Sequence, residues 1–194
     1  MAAKKHSASP DHGRKKMSKN TNASSKDIND DPFVLTRTLD APRDLVWKVW
    51  TQPEHLGKWF SPKGFKILAA KMDFRVGGTY HYGLETPDGK PMWGKWEFRE
   101  IAAPERMVVI QCFSDEKGGV TRHPMAPDWP QYTLSTMSFA AQGNKTKFNL
   151  SWAPYKATEI ERRTFDAGRA GMEVGWGGTM ELLTAYLAKT QKSS

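Results

Sequence analysis

Residues from Phe65 to Trp152 alternate between short apolar runs and turn residues, and this feature constrains the fold most strongly. Glycine and proline mark the turns, as in Gly77-Gly78 and Pro87-Asp88-Gly89, where the backbone needs angles that few other residues adopt. The pattern predicts six strands, at residues 65–72, 79–85, 93–101, 107–113, 131–140 and 146–152. Consecutive strands joined by short turns pair as an antiparallel meander.

A seventh strand and two short helices are predicted in front of this meander. Residues 33–39 alternate as a strand, and apolar residues between 45 and 50 recur at helical spacing. Thr51 and Glu54 have the spacing of a capping box, which predicts the start of a second short helix there. Two helices in tandem can cover one end of a sheet.

A long helix is predicted at the C-terminal side, from Thr158, which with Glu161 forms a second capping box, to about Lys189. Residues at three- or four-residue spacing trace one face of it: Phe165, Gly168, Met172, Trp176, Met180, Leu183 and Leu187. Glycines in a helix cost up to about 1 kcal/mol each relative to Ala, so the first turns are expected to be irregular. Close packing on the sheet is favoured for Gly177-Gly178, whereas Gly168, Gly171 and Gly175 fit close packing or room for a ligand equally well.

The first 31 residues differ in composition from the rest. They carry seven Lys or Arg against four Asp, and Ile28 is their only branched aliphatic residue. Such a segment cannot bury enough apolar surface to offset its ordering entropy, so residues 1–31 are predicted to be a disordered basic tail, with Met17 as an alternative start. Residues 32–190 are predicted to be one α+β domain.

The net charge of +8 does not predict a nucleic-acid partner, because outside residues 1–31 the basic residues are spread along the chain without forming a stripe. Cys112 is the only cysteine, so no internal disulfide forms and a reducing compartment is the natural interpretation. No apolar run approaches the roughly 20 residues that cross a bilayer. A soluble, cytoplasmic protein without a membrane span is therefore expected.

Four segments of the chain, taken in order, resemble one known family. They are Ala41-Pro42 to Trp59-Phe60, Met72 to Gly78, Ile101 to Met107, and Gly175-Trp176 before Leu182-Leu183. The chain resembles the START-like (SRPBCC) superfamily over residues 32–190, and within it the group similar to the C-terminal domain of the activator of the heat-shock-protein-90 ATPase.

This resemblance implies a helix-grip fold, β-α-α-β(6)-α, in which a curved antiparallel sheet wraps around the long C-terminal helix. It also implies a deep cavity between sheet and helix, which in various members holds lipids, hormones or polyketides. The segment 114–130, rich in proline, is interpreted as a lid over the mouth of that cavity.

Residues with catalytic chemistry are scarce. His55, His81 and His123 have no metal-ligand spacing, so neither a metal nor another cofactor is expected. The candidates for acid–base chemistry are weak: His81, Arg75 and Glu97. His81 turns outward if the aromatic face of strand 79–85 is concave, and it enters the cavity, as a catalyst of cyclisation or dehydration, in the opposite register.

The cavity itself is predicted from apolar residues that share a face of each strand or of the long helix. The predicted lining is Tyr80, Tyr82, Trp96, Phe98, Phe113, Phe148, Trp152, Met172, Trp176 and Met180. An apolar pocket with few polar groups is typical of a small-molecule site. Non-catalytic binding of a small hydrophobic ligand, lipid-like or aromatic, is therefore the first hypothesis. Interaction with a protein partner such as a chaperone comes second, and an enzyme of the polyketide cyclase/aromatase type third.

Overall fold

The computed structural model describes residues 31–192, so the predicted tail lies outside the described residues except for Asp31. Within that range one antiparallel sheet is formed by eight strands: β1 Phe33–Leu39, β2 Lys66–Met72, β3 Thr79–Glu85, β4 Pro91–Ala102, β5 Arg106–Ser114, β6 Val120–Thr121, β7 Thr133–Gln142 and β8 Lys145–Pro154. The strand order is β1-β8-β7-β5-β4-β3-β2, and β6 pairs with the last two residues of β5. The sheet has one strand more than the sequence predicted, because β6 lies inside the segment expected to be an excursion.

Four helices lie among residues 31–192: α1 Arg43–Thr51, α2 Pro53–Trp59, α3 Glu159–Ala167 and α4 Arg169–Lys192. Helix α1 contacts β7, β8 and α4, and α2 contacts β2 and α4. The architecture is the α+β helix-grip fold that the sequence predicted, with a curved sheet against a long C-terminal helix. No helix in the described part of the chain is long and apolar enough to cross a membrane.

The two predicted capping boxes have different outcomes. Thr158 and Glu161 form theirs, because the Thr158 side chain accepts from the Glu161 amide while the Glu161 carboxylate accepts from the Thr158 amide. The box at Thr51 is wrong: this residue ends α1, and its hydroxyl donates to the Trp47 carbonyl at 2.8 Å. Gln52 caps α2 instead and is extended (φ −103°, ψ 124°), as expected for a residue that precedes proline.

The C-terminal helix is divided at Gly168, where the sequence predicted irregular first turns. A β-carbon at Gly168 would lie 3.0 Å from the Trp129 ring, which indicates close packing there. The expected close packing of Gly177-Gly178 is wrong, because a β-carbon at Gly177 would meet no atom within 4 Å and one at Gly178 only Lys63 at 3.8 Å.

The register of the sheet divides its concave face into two parts. One part, here called the packed end, contains the paired residues Met137 and Leu150 and the pair Phe139 and Phe148, all at most 1% exposed. The Trp50 ring of α1 stacks on Phe148 at 5.0 Å between ring centroids. The second half of α4 covers this end with side chains that are at most 3% exposed: Met180, Leu183 and Leu187.

The other part of the concave face, here called the open end, begins where Tyr82 pairs with Gly94 and Gly94 pairs with Phe113. The first half of α4 passes over it and presents two glycines, Gly171 and Gly175, beside Met172 and Trp176. The space between the sheet and α4 is not filled by side chains at this end.

Candidate functional site

A cavity of about 490 Å³ lies at the open end, between the sheet and the first half of α4. Its walls come from five strands, from the residues that follow α2, from the segment between β6 and β7, and from α4. The lining residues are Phe60, Ser61, Pro62, Tyr82, Leu84, Met92, Trp93, Gly94, Gln111, Cys112, Phe113, His123, Trp129, Pro130, Thr133, Trp152, Gly168, Gly171, Met172, Gly175, Trp176 and Thr179. The volume lies within the range of about 300–1,000 Å³ that small-molecule pockets occupy.

The structure brings half of the predicted lining residues together in this wall. They are Tyr82, Phe113, Trp152, Met172 and Trp176. It places the other five in the packed core beside the cavity: Tyr80, Trp96, Phe98, Phe148 and Met180, none more than 3% exposed. The correction has a physical cause, because residues of one parity share a face of the sheet but only part of that face is left uncovered by α1 and α2.

Phe60, which follows α2, marks the boundary between the two ends. Its ring contacts Trp96 edge-on at 4.9 Å between centroids and Tyr82 edge-on at 5.7 Å. Trp96 therefore lies behind Phe60 in the core, whereas Tyr82 reaches the cavity. Tyr80 stacks on Tyr82 at 5.1 Å and is buried behind it.

Glycines determine the shape of the cavity at two places. A β-carbon at Gly94 would lie 2.5 Å from the Tyr82 ring, so the ring lies directly on the glycine backbone of the neighbouring strand. At Gly171 and Gly175 of α4 a β-carbon would meet nothing within 4 Å. These two glycines leave space rather than allow close packing, which decides between the two interpretations that the sequence left open.

The segment between β6 and β7 contributes His123, Trp129 and Pro130 to the wall. It is held to α3 by Glu161, whose carboxylate accepts from the Arg122 guanidinium and from the Gln131 amide. Burial raises the pKa of Glu161, but hydrogen bonds from Thr158, Arg122 and Gln131 outweigh it and lower the pKa to about 2. Glu161 is thus a buried anion that holds the segment between β6 and β7 in place. The sequence analysis interpreted this segment as a lid.

The interior of the cavity is electrically neutral. Among the described residues that line it, none is Asp, Glu, Lys or Arg. Burial raises the pKa of Tyr82 to about 12, burial raises the pKa of the Cys112 thiol despite the opposing charge of Lys95, and burial lowers the pKa of His123. All three shifts favour the uncharged form.

The three weak catalytic candidates do not line the cavity. His81 stacks on Trp93, and its Nε2 lies 3.1 Å from the Asp115 carbonyl oxygen. The Arg75 guanidinium forms an ion pair with Asp73 at 2.9 Å, and Glu97 pairs with Arg99. Within residues 31–192 no group of three or more His, Cys, Asp or Glu is arranged to hold a metal.

Sequence reasoning missed several residues of the wall, above all His123, Trp129 and Gln111. Trp129 packs between His123 and Trp152, with ring centroids 6.3 and 5.9 Å away. His123 and Trp129 lie in an irregular segment, so no periodicity points to them, and only an aromatic residue within a proline-rich excursion could have been a signal. Gln111 lies on a strand next to Phe113, where a polar side chain gives no signal for an apolar wall.

Comparison with known proteins identifies the relatives of this architecture. The family described as "Activator of Hsp90 ATPase homolog 1-like protein" matches residues 40–188. No curated protein matches the chain.

Several solved structures share the fold of this chain. The solution NMR structure of a protein from Arthrobacter aurescens is 26% identical, with a TM-score of 0.67, and the match covers 84% of this chain and 90% of that chain. The crystal structure of a protein from Nitrosomonas europaea is 23% identical, with a TM-score of 0.67, over 86% and 99% of the two chains. The AHSA1-like protein from Aeromonas hydrophila shares the fold at 16% identity, with a TM-score of 0.57, over 81% and 94%.

Proposed function

Because this chain belongs to the family of Activator of Hsp90 ATPase homolog 1-like proteins, within the START-like superfamily, we propose that it binds a small hydrophobic ligand in the cavity at its open end, without chemistry. We further propose that residues 32–190 act as one domain and that the protein works in the cytoplasm. The residues proposed to contact the ligand include Tyr82, Phe113, Trp152, Met172 and Trp176.

One observation carries the proposal: a cavity of about 490 Å³ whose wall is aromatic, apolar and uncharged. Burying apolar surface contributes roughly 25 cal/mol per Å² removed from water, so a ligand that fills such a space gains affinity without specific contacts. The neighbouring packed end is filled with side chains, so the unfilled space at the open end supports a ligand site there.

The neutral interior supports binding rather than catalysis. General acid–base chemistry works best with a group whose pKa lies near the working pH. Burial raises the pKa of Tyr82 and of Cys112 and lowers the pKa of His123, so that each group favours its uncharged form. The candidates His81, Arg75 and Glu97 hold other partners outside the wall.

The description of the family supports a second proposal, that the chain acts on a chaperone of the Hsp90 type. The direct test is the rate of ATP hydrolysis by a purified Hsp90 chaperone with and without the full chain. An unchanged rate across a range of concentrations rejects this role and leaves ligand binding untouched.

Filling the cavity tests the first proposal. Gly175 lies between Met172 and Thr179 on the cavity-facing stripe of α4, and a β-carbon added there would have no neighbour within 4 Å. We expect Gly175→Leu to reduce the affinity for the uncharged hydrophobic probe 2-acetylnaphthalene at least about tenfold, measured by isothermal titration calorimetry. Native mass spectrometry should also show that a ligand copurified with the unmodified protein is absent from the Gly175→Leu variant.

Gly177 offers the matched control. It lies on the same helix, it has equal space around its β-carbon position, and it does not line the cavity. Gly177→Leu should leave probe affinity unchanged. Equal loss in both variants, or no probe binding to the unmodified protein, would reject the cavity as a binding site.

A further inference from the structure

A second pocket, here called the outer pocket, lies on the convex face of the sheet and has a volume of about 320 Å³. Its floor is a row of residues that lie directly opposite one another on three strands. Lys71 of β2 pairs with His81 of β3, and His81 pairs with Lys95 of β4. Successive residues of a strand face opposite sides of the sheet, so this row faces away from Tyr80 and Tyr82. The other lining residues are Asp73, Thr79, Lys117 and Gly118.

The turn between β5 and β6 forms one side of the outer pocket. The Asp115 carbonyl oxygen lies 3.1 Å from His81 Nε2, and the Gly118 carbonyl oxygen accepts from Lys95 Nζ at 2.6 Å. The Asp115 carboxylate accepts from the amides of Lys117 and Gly119 at 2.9 and 2.8 Å, which fixes the shape of the turn. Two strands and a turn therefore hold three lysines around one space.

The positive charge of the outer pocket is not compensated. Within residues 31–192, none of Lys71, Lys95 and Lys117 forms an ion pair. Among the described residues that line the pocket, Asp73 is the only acid, and its carboxylate already pairs with Arg75 at 2.9 Å. Like charges on neighbouring strands are destabilising, so this arrangement favours a bound anion.

Lys95 needs an anion most. It is half-buried, and lysine is rarely buried without a partner for its charge. An ammonium group has three donors, and within the described part of the chain one hydrogen bond is formed, to the uncharged Gly118 carbonyl. Glu97, two residues along the same strand, is paired with Arg99.

We propose that the outer pocket binds the phosphate group of a small molecule, either a phosphate monoester or the free ion. Its oxygens accept charge-assisted hydrogen bonds from the ammonium groups of Lys71, Lys95 and Lys117, which are stronger than bonds between neutral groups. The pocket is near the lower limit of about 300 Å³ for small-molecule sites, so a compound with a small organic part fits it. The three lysines are far apart in the sequence, which is why no run of charge predicts the site.

Titration of the full chain with inorganic phosphate, glycerol 3-phosphate and acetate at constant ionic strength tests the inference. Nitrogen-15-edited NMR should show saturable shifts of the Thr79, His81 and Gly118 amides with both phosphate compounds. Acetate carries a single charge and should bind at least about tenfold more weakly. Tighter binding of glycerol 3-phosphate identifies a monoester as the ligand, and equal or tighter binding of inorganic phosphate identifies the free ion.

Substitutions locate the site. Lys95→Gln should weaken the binding of inorganic phosphate at least about tenfold, and Lys71→Gln and Lys117→Gln about threefold each. Lys66→Gln is the matched control, because Lys66 is an exposed lysine of the same strand as Lys71, pairs with Glu85 and does not line the pocket. It should leave phosphate binding unchanged. Circular dichroism checks that each variant is folded, and the exposed Lys71 and Lys117 decide the matter if Lys95→Gln is not.

Three results would overturn the inference: no saturable shift at these amides, equal affinity for acetate, or unchanged phosphate affinity in the folded lysine variants. A short DNA duplex whose binding depends on Lys95, while neither phosphate compound binds, would instead identify a nucleic-acid surface and also overturn it. The outer pocket and the cavity lie on opposite faces of the sheet, so the binding of 2-acetylnaphthalene is a separate result and the proposed function can fail or stand independently.

Discussion

The packed end and the open end of the concave face belong to one sheet and are covered by the same helix, yet side chains fill one end and leave a cavity at the other. At the packed end α4 presents Met180, Leu183 and Leu187, and α1 inserts Trp50. At the open end α4 presents Gly171 and Gly175 beside Met172 and Trp176, and the irregular segment between β6 and β7 forms part of the wall. The difference indicates that the part of the interior that stabilises the fold is separate from the part that we propose binds a ligand.

This separation follows from packing physics. A filled core loses stability for every methylene removed, because contacts and burial are lost together. Side chains that already face a cavity have neighbours on one side only, so less is lost when they are shortened. Substitutions at each end test whether the two ends differ in their contribution to stability.

The largest effect is expected for Leu183→Ala at the packed end. Leu183 is 0% exposed, so its truncation should lower the free energy of unfolding by about 2–5 kcal/mol. Met172→Ala on the same helix faces the cavity and should cost about 1 kcal/mol, less than the usual range for a buried methionine. Urea unfolding followed by circular dichroism measures both. Equal losses would remove the distinction between the two ends.

The next effect concerns the attachment of the open end to α3 through Glu161. The carboxylate accepts charge-assisted hydrogen bonds from Arg122 and from the amides of Gln131 and Thr158, so Glu161→Gln should cost about 1–3 kcal/mol at neutral pH. Glu159→Gln, an exposed neighbour that pairs with Arg163, is the matched control and should cost less than about 1 kcal/mol.

The same residue predicts a pH dependence. Because the pKa of Glu161 is lowered from 4.5 to about 2 in the folded protein, its contribution is complete above pH 4.5 and is lost as the pH falls toward 2. Glu161→Gln should therefore flatten the loss of unfolding free energy between these values. A pH profile identical to that of the unmodified protein would show that Glu161 does not hold the wall by its charge.

A smaller effect on stability is expected for Gly94→Ala. The new β-carbon would lie 2.5 Å from the Tyr82 ring, which must turn into the cavity. Overpacking of a filled core costs about 1–3 kcal/mol, and the free space beside Tyr82 should keep the loss at the lower end. The free energy of binding of 2-acetylnaphthalene should fall by more than the free energy of unfolding does. In a Tyr82→Ala background the substitution at Gly94 should have little effect, and an undiminished cost there would contradict the proposed clash.

The seven longer strands and their order along the chain followed from alternation and turn residues, whereas the two-residue strand β6 did not. Alternation places Tyr82, Trp96 and Phe148 on one face but cannot say how far along that face the helices reach. That depends on where Phe60 and Trp50 insert, which is a long-range contact without a local signal. His123 could not be found from the sequence, because irregular segments have no period.

The smallest effects are expected on the outer side of the sheet. His81→Asn, Arg75→Ala and Glu97→Gln should each change the free energy of unfolding by less than about 0.5 kcal/mol, because the ion pairs of Arg75 and Glu97 and the contact of His81 with the Asp115 carbonyl are exposed. None should change the affinity for 2-acetylnaphthalene, since none lines the cavity. A loss of probe binding in His81→Asn would mean that the Asp115 contact transmits to the wall through Trp93, and the separation between outer face and interior would then fail.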